Sequence, residues 1–215
     1  LAMVILAVKY GSVHVTGSGD ARIKEIPVVV IDAGHGGTDP GKVGVDGSLE
    51  KDINLAIAER LKTYLQQDDV KVIMTRETDM GLYSETDSRK KMADMKKRCE
   101  IIEESGADLV VSIHQNSYQD AQIHGAQVFY YSHSEEGKRM AEVMQKALLK
   151  ADEENTRQAK ANDTYYLLKR TEVPTIIVEC GFLSNPEEAA KLVSPKYQEK
   201  LAEAIAEGIL ACMEN

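Results

Sequence analysis

The sequence contains no tryptophan and only two phenylalanines among its 215 residues. Aliphatic side chains and methionine must therefore form most of the hydrophobic core. Hydrophobic residues make up 43% of the chain and charged residues 28%, a composition typical of a globular protein and unlike that of a disordered or fibrous one. A chain of this length can bury a substantial core as a single domain.

Basic residues are in the minority, with 26 Lys and Arg against 35 Asp and Glu, so the formal net charge is −9. The basic footprint of a nucleic-acid-binding protein is missing, and we expect no nucleic-acid partner. The negative balance also disfavours simple electrostatic adhesion to anionic lipid. An anionic polymer remains compatible as a substrate, because the local charge at a site can differ from the total.

Cysteine is scarce as well: the chain has Cys99, Cys180 and Cys212, with no Cys-x-x-Cys spacing. An odd, widely spaced set supports neither a disulfide framework nor a cysteine zinc site. We expect all three to be small core residues.

The chain has no long hydrophobic run, since the apolar stretch at residues 1–8 is far shorter than the ~20 residues that span a bilayer. We interpret residues 1–26 as the remnant of an export signal or membrane anchor followed by a Gly/Ser-containing linker. An additional N-terminal strand is the alternative. A compact domain is expected over residues 27–215.

Apolar and β-branched runs alternate with helical periodicity along this domain. Strands are predicted at 28–31, 70–75, 109–113, 127–131 and 175–178, and helices at 49–66, 88–105, 135–152 and 197–213. This order favours a single-domain α/β fold: a mostly parallel, twisted sheet of about six strands with helices on both faces.

Three chemically active side chains follow three of these strands. His35 comes after the first strand, His114 after the strand at 109–113, and Glu179 after the strand at 175–178. Ligands gather at the carboxyl ends of parallel strands, so these groups meet if the three strands are neighbours. Glu50, in the first turn of the helix after the glycine-rich loop, can return to the same edge.

Two imidazoles and one carboxylate are a typical catalytic zinc set. Three protein ligands leave one position for water, whose pKa the metal lowers toward ~7. A nearby carboxylate that does not bind the metal can then carry a proton to a leaving amine, and Glu179 fits this role. Taken singly, each histidine is more often a surface group, and Glu50 alone could serve only the helix dipole.

The glycine-rich loop at 34–47 permits a rival interpretation, because glycines between a strand and a helix can cradle phosphate. Neither nucleotide fingerprint is present, however, and Glu50 and Asp52 at the helix start would repel phosphate.

Five segments resemble the amidase 3 family of N-acetylmuramoyl-L-alanine amidases: VIDAGHGGTDPG (30–41), EKDINL (50–55), TR (75–76) with Asp79, SIHQN (112–116) and VECGFLSN (178–185). They cover nearly the whole of the predicted domain. The resemblance implies that His35, Glu50 and His114 bind one Zn²⁺ per chain and that Glu179 is catalytic. It also implies hydrolysis of the amide that joins the lactyl group of N-acetylmuramic acid to L-alanine in peptidoglycan.

The segment SRKKMADMKKR (88–98) is similar to the CwlD-type sporulation and germination branch. That similarity implies spore cortex modification and an exported location on the outer side of a bacterial membrane, in the cell wall or the forespore intermembrane space. A regulatory protein partner and an N-terminal membrane anchor are compatible with it. Gln115 stands where the family commonly has Ala or Leu, which is expected to alter the pocket wall.

Three further residues are weaker candidates. Asp32 and Asn116 could orient a ligand from behind, or form a strand-end turn and a loop cap. Arg76 could bind a substrate carboxylate, or form a structural ion pair. At the level of function, the alternatives to an amidase are a catalytically silent cell-wall binding protein and a zinc peptidase that acts on the stem peptide.

Overall fold

The computed structural model describes residues 26–214, and the strands within them form one six-stranded sheet. The strands are β1 (Val28–Ala33), β2 (Lys71–Met74), β3 (Leu109–Asn116), β4 (Gln127–Tyr130), β5 (Lys160–Ala161) and β6 (Thr175–Phe182). Their order is β2-β1-β3-β6-β4-β5, and only the β4–β6 pairing is antiparallel. The predicted mostly parallel sheet is confirmed.

Helices cover both faces of this sheet, as predicted. They are α1 (Glu50–Gln67), α2 (Lys90–Glu104), α3 (Glu135–Ala147) with a 3₁₀ turn at Leu148–Lys150, α4 (Tyr166–Arg170), α5 (Pro186–Leu192) and α6 (Pro195–Met213). Buried residues of α1, α3, α5 and α6 pack on one face in the largest core cluster. Those of α2 and α4 pack in two smaller clusters on the other face.

The alternation of side chains along β1 explains how one strand serves both layers. Val29 and Ile31 join the larger cluster, whereas Val30 joins the α2 side. On α1, apolar residues repeat every four positions and all are buried: Ile53, Ile57, Leu61 and Leu65. Burial of this stripe fixes α1, and hence Glu50 at its first turn, against the sheet.

Strands β1, β3 and β6 are adjacent and parallel, so the assumption about strand order made from the sequence is correct. Ala33 lies beside Ile113, and His114 lies beside Glu179. The carboxyl ends of the three strands therefore share one edge of the sheet. Because neighbouring residues in register point to the same side, the His114 and Glu179 side chains both face the α2 and α4 layer.

The predicted apolar stripe of α2 is partly wrong. Met92 is exposed, Met95 and Cys99 are only half-buried, and Ile102 alone is fully buried. Arg98 takes the inward position instead, because its guanidinium pairs with the buried carboxylate of Asp32. Among the cysteines, Cys180 and Cys212 are core residues as expected, whereas Cys99 is not fully enclosed.

Elements too short for a periodic pattern escaped prediction: β5, α4 and α5. Residues 152–163 form a connection that ends in β5, and none of them lines the cavity described below. Strand β6 continues past the predicted end at residue 178 and so carries Glu179 within its ladder. Helix α6 begins two residues early because Pro195 occupies its first turn.

The interpretation of residues 1–26 as an export remnant and linker falls almost wholly outside the described residues and stays a prediction. Within residues 26–214, no helix is both long and apolar enough to cross a membrane.

Candidate metal centre and catalytic cavity

Three side chains from distant parts of the chain converge at the carboxyl edge of the sheet. The Glu50 Oε1 atom lies 3.2 Å from His35 Nε2 and 2.9 Å from His114 Nδ1. The two imidazole rings meet edge to face, with centroids 5.0 Å apart. Within the described part of the chain, these three residues form the one cluster whose donor atoms could share a metal ion, all within 4.8 Å of one another.

The glycine loop is explained by this convergence. A Cβ atom on Gly34 would lie 2.2 Å from Cε1 of His114. Gly41 adopts a φ of +69°, and a Cβ atom there would lie 2.5 Å from Glu50 Oε2. Glycine is required at both positions because the backbone passes directly against the ligands. The glycines that could have bound phosphate therefore make room for the imidazoles and the carboxylate.

Glu50 is 2% exposed and is held by backbone amides on both oxygens. Its Oε2 accepts from Lys42 N at 2.7 Å, and its Oε1 accepts from Gln115 N at 3.1 Å. Burial acts to raise the pKa of Glu50, but hydrogen bonds from His114 and His35 outweigh it and hold the pKa well below the usual range. Glu50 is therefore ionised at neutral pH, as a metal ligand must be.

Asn54, one turn below Glu50, ties three elements together and was missed by the sequence analysis. Its side-chain amide donates to Gly34 O at 3.1 Å and accepts from Gln115 Nε2 at 3.1 Å. The Gln115 side chain thus packs against α1 at the wall of the cavity. A polar residue on the otherwise apolar face of α1 was the signal that could have revealed Asn54.

His35 is oriented by a second carboxylate. Its Nδ1 lies 3.0 Å from Asp39 Oδ2, which leaves Nε2 to face Glu50. His35 has a φ of 64°, an unusual backbone conformation for a residue with a side chain. A carboxylate behind a ligating imidazole fixes the tautomer and the ring orientation, so Asp39 has the geometry of a metal-site support.

Glu179 faces the same cavity without joining the ligand cluster. It is 5% exposed, its Oε1 accepts from the Tyr165 hydroxyl at 3.0 Å, and its Oε2 is buried with no hydrogen-bond partner among the described residues. Burial raises the pKa of Glu179 above that of an ordinary carboxyl group. Such a group is suited to exchange protons near neutral pH.

These side chains line a cavity of about 420 Å³. The residues that line it include His35, Glu50, His114, Glu179, Tyr165 and Lys42. The volume falls within the range of small-molecule sites. The cavity therefore brings the predicted ligands and the predicted proton carrier into one space.

Asp32 also lines this cavity, and both of its carboxylate oxygens accept hydrogen bonds. Its Oδ1 accepts from Arg98 Nη1 and Thr75 Oγ1, and its Oδ2 accepts from Ser112 Oγ. Arg98 also donates to His35 O at 2.5 Å. Asp32 thus supports the backbone of a ligand through Arg98 and does not touch an imidazole.

Arg76 and Asn116 occupy structural positions. The Arg76 guanidinium donates only to backbone carbonyls, including those of Gly34 and Lys51, and does not line the cavity. These contacts support neither of the two alternatives predicted for Arg76, the substrate contact and the structural ion pair. Asn116 lines the cavity, but its Oδ1 accepts from Ser117 N, which matches the loop-cap alternative.

The donor set fits a divalent transition metal. Zinc takes two imidazole nitrogens and a carboxylate oxygen with bonds of ~2.0–2.2 Å, which place neighbouring donors roughly 3.3 Å apart in a tetrahedron. The two short separations around Glu50 Oε1, 3.2 and 2.9 Å, are close to that spacing. Each of the three residues offers one donor atom, so a tetrahedral ion held by them would keep a fourth position for substrate or water.

Comparison with known proteins identifies relatives that share this fold. Residues 29–211 match the family model described as N-acetylmuramoyl-L-alanine amidase, Amidase_3. The chain is 42% identical over 186 residues to the germination-specific N-acetylmuramoyl-L-alanine amidase of Bacillus subtilis, covering 85% of this chain and 78% of that protein.

Two solved structures extend the comparison. The CwlD amidase of Clostridioides difficile, solved in complex with the GerS lipoprotein, has a TM-score of 0.85 and 40% identity, covering 87% of this chain and 98% of that one. The catalytic domain of CwlV from Bacillus (Paenibacillus) polymyxa has a TM-score of 0.78 and 32% identity, covering 88% and 99%. The chain therefore belongs to the amidase 3 family of N-acetylmuramoyl-L-alanine amidases, within the CwlD-type branch of these peptidoglycan hydrolases.

Proposed function

We propose that this amidase uses one zinc ion per chain, held by His35, Glu50 and His114, with Glu179 as the proton carrier. The observation that supports this most directly is the geometry of one cavity. It brings three ligand atoms within 4.8 Å of one another and places the unpartnered, buried Oε2 of Glu179 in the same space.

When bound, zinc supplies a Lewis acid that polarises the scissile carbonyl and lowers the pKa of water. Glu179 accepts the proton of the attacking water on Oε2 and delivers it to the amine of L-alanine as that group leaves. The C–N bond breaks, and the lactyl carboxylate and a free amino terminus are formed. Backbone amides of Lys42 and Gln115 hold Glu50, Asp39 holds His35, and Glu50 in turn contacts His114 Nδ1, so the three side chains keep their positions.

We further propose a role in spore cortex modification during sporulation or germination, on the outer side of a bacterial membrane. The 42% identity to a germination-specific amidase supports this role. A protein partner is proposed as well, because the similar CwlD amidase was solved with the GerS lipoprotein. An N-terminal anchor or signal in residues 1–26 would fit the same location.

Product analysis tests the reaction. Purified protein incubated with muropeptides should release intact stem peptides with free L-alanine amino termini, and added zinc should increase the yield. Release of smaller peptide fragments would identify a stem-peptide peptidase instead. Absence of any cleavage by the zinc-loaded protein would favour a silent binding protein.

Substitution separates the two roles within the site. Glu179→Ala should retain about one zinc per chain but lose nearly all activity, because it removes the proton carrier and leaves every ligand in place. His114→Ala should lose the zinc, which elemental analysis of dialysed protein will show. Loss of zinc from Glu179→Ala would contradict the assignment of Glu179 as a residue that does not bind the metal.

A further inference from the structure

We propose that Tyr165 is the positioning residue for Glu179. The Tyr165 hydroxyl donates a hydrogen bond to Oε1 of Glu179 and so leaves Oε2 as the oxygen that exchanges protons. The inference rests on the proposed role of Glu179 as proton carrier. Neither the sequence pattern nor the family segments single out Tyr165, which precedes the short helix α4.

The two oxygens of Glu179 have different surroundings. Oε1 accepts a hydrogen bond from the Tyr165 hydroxyl at 3.0 Å, whereas Oε2 is buried and has no hydrogen-bond partner within residues 26–214. An unpartnered buried oxygen is costly and calls for an explanation. In this cavity the explanation is that Oε2 receives its partner, the water or the leaving amine, only during reaction.

Tyr165 is itself rigidly placed. The backbone turn before it is organised by Asn162, whose Oδ1 accepts from Thr164 N at 2.7 Å and from Tyr165 N at 3.0 Å. The Tyr165 ring packs edge to face on Phe129 with centroids 5.6 Å apart. The ring thus packs against the small hydrophobic cluster of Phe129, Leu168 and Ile177 on β4, α4 and β6, which fixes the position of the hydroxyl.

Fixing one oxygen matters because the terminal torsion of a glutamate is broad. Without an anchor the carboxylate can rotate, and the two oxygens can exchange places relative to the scissile amide. Reacting groups must be held within about 0.5 Å of the productive geometry. The hydroxyl is a dependable donor, since burial and the charge of Glu179 raise the pKa of Tyr165 and keep it protonated.

Tyr165→Phe removes the hydroxyl alone and is the decisive variant. We expect kcat on a soluble muramoyl-peptide of defined length to fall roughly ten-fold, part of the ~10²–10⁴-fold that a general base supplies. KM and bound zinc should stay unchanged. Asn162→Ala should give a smaller fall in kcat, because the turn that places Tyr165 loses its acceptor.

Tyr131→Phe is the matched control. Tyr131 packs against the same small hydrophobic cluster but does not line the cavity, so its variant should behave as wild type. A Tyr165→Phe enzyme with unchanged kcat would overturn the inference. A rise in KM with unchanged kcat would also overturn it, because that result identifies a substrate contact.

Glu179→Gln, measured in parallel, distinguishes failure of this inference from failure of the proposed function. If Glu179→Gln remains active, the assignment of Glu179 itself is wrong. If Glu179→Gln is inactive while Tyr165→Phe matches wild type, only the positioning role of Tyr165 is wrong.

Discussion

At the scale of single residues, we expect the carboxylate behind His35 to influence how tightly the proposed site holds a metal. Asp39 Oδ2 accepts from His35 Nδ1 at 3.0 Å, and its Oδ1 accepts from Gly41 N at 3.2 Å. Asp39 therefore fixes the direction in which Nε2 points.

We expect Asp39→Asn to weaken zinc binding by about 10- to 100-fold, since the neutral amide neither fixes the tautomer nor raises the basicity of the ligand. Competition titration against a chromophoric chelator measures the affinity. Asp46→Asn is the control, because Asp46 lies in the same loop but accepts only from Ser48. Equal zinc affinity in Asp39→Asn and wild type would show that Asp39 is not a support of the site.

The sequence could predict the site residues whose place follows from a strand end. His35, His114 and Glu179 belong to this group, because parallel neighbouring strands end at one edge. The sequence could not predict Tyr165, because its hydroxyl reaches Glu179 through the path of the loop before α4 and not through a periodic element. Asn54 is an intermediate case. Its position on the helix follows from periodicity, but its contacts with Gly34 and Gln115 do not.

At the scale of elements, Arg98 fastens helix α2 to the end of β1. Its side chain is 1% exposed and pairs with Asp32 and Asp94, each at 2.6 Å. Burial alone raises the pKa of Asp32, but the Arg98 charge and the Ser112 hydroxyl more than offset it, and the pKa falls to about 2. The Asp32 carboxylate therefore stabilises the folded state above pH ~4, and this contribution is lost as the pH falls through about 2.

Arg98→Met should lower the free energy of unfolding by about 3–5 kcal/mol at neutral pH, because it leaves Asp32 as a buried charge without its main partner. The difference from wild type should shrink as the pH falls, because Asp32 without Arg98 takes up a proton at a higher pH than the paired Asp32 of the wild type. Urea unfolding at several pH values measures it, with the exposed Arg89→Lys as control. A destabilisation independent of pH would show that lost packing, and not charge, is the cause.

Element prediction succeeded where periodicity was long and failed where a single polar contact overrode it. The eighteen residues of α1 follow their four-residue stripe into the core. On α2, the same logic placed Met92 inside, yet Arg98 is inside because Asp32 lies opposite. A contact with a partner 66 positions away cannot be found from local periodicity.

At the scale of the whole molecule, the site is assembled by the fold. The proposed ligands come from the end of β1, the first turn of α1 and the end of β3, which only the assembled sheet brings together. The unfolded chain has no comparable cluster, so we expect the proposed zinc binding to be linked to folding. Zinc should therefore act as a stabiliser of the folded state in addition to its chemical role.

Zinc at about 100 times its dissociation constant should stabilise the folded protein by ~2.7 kcal/mol. For a domain of this size 1 kcal/mol moves Tm by about 2–4 °C, so calorimetry should show a rise of roughly 5–11 °C that a chelator reverses. Glu179→Ala should show the full rise, because its three ligands are intact, whereas His114→Ala should show almost none. An equal rise in His114→Ala would mean that zinc binds elsewhere on the chain, since a site built by three converging elements cannot retain its affinity after losing one of three donors.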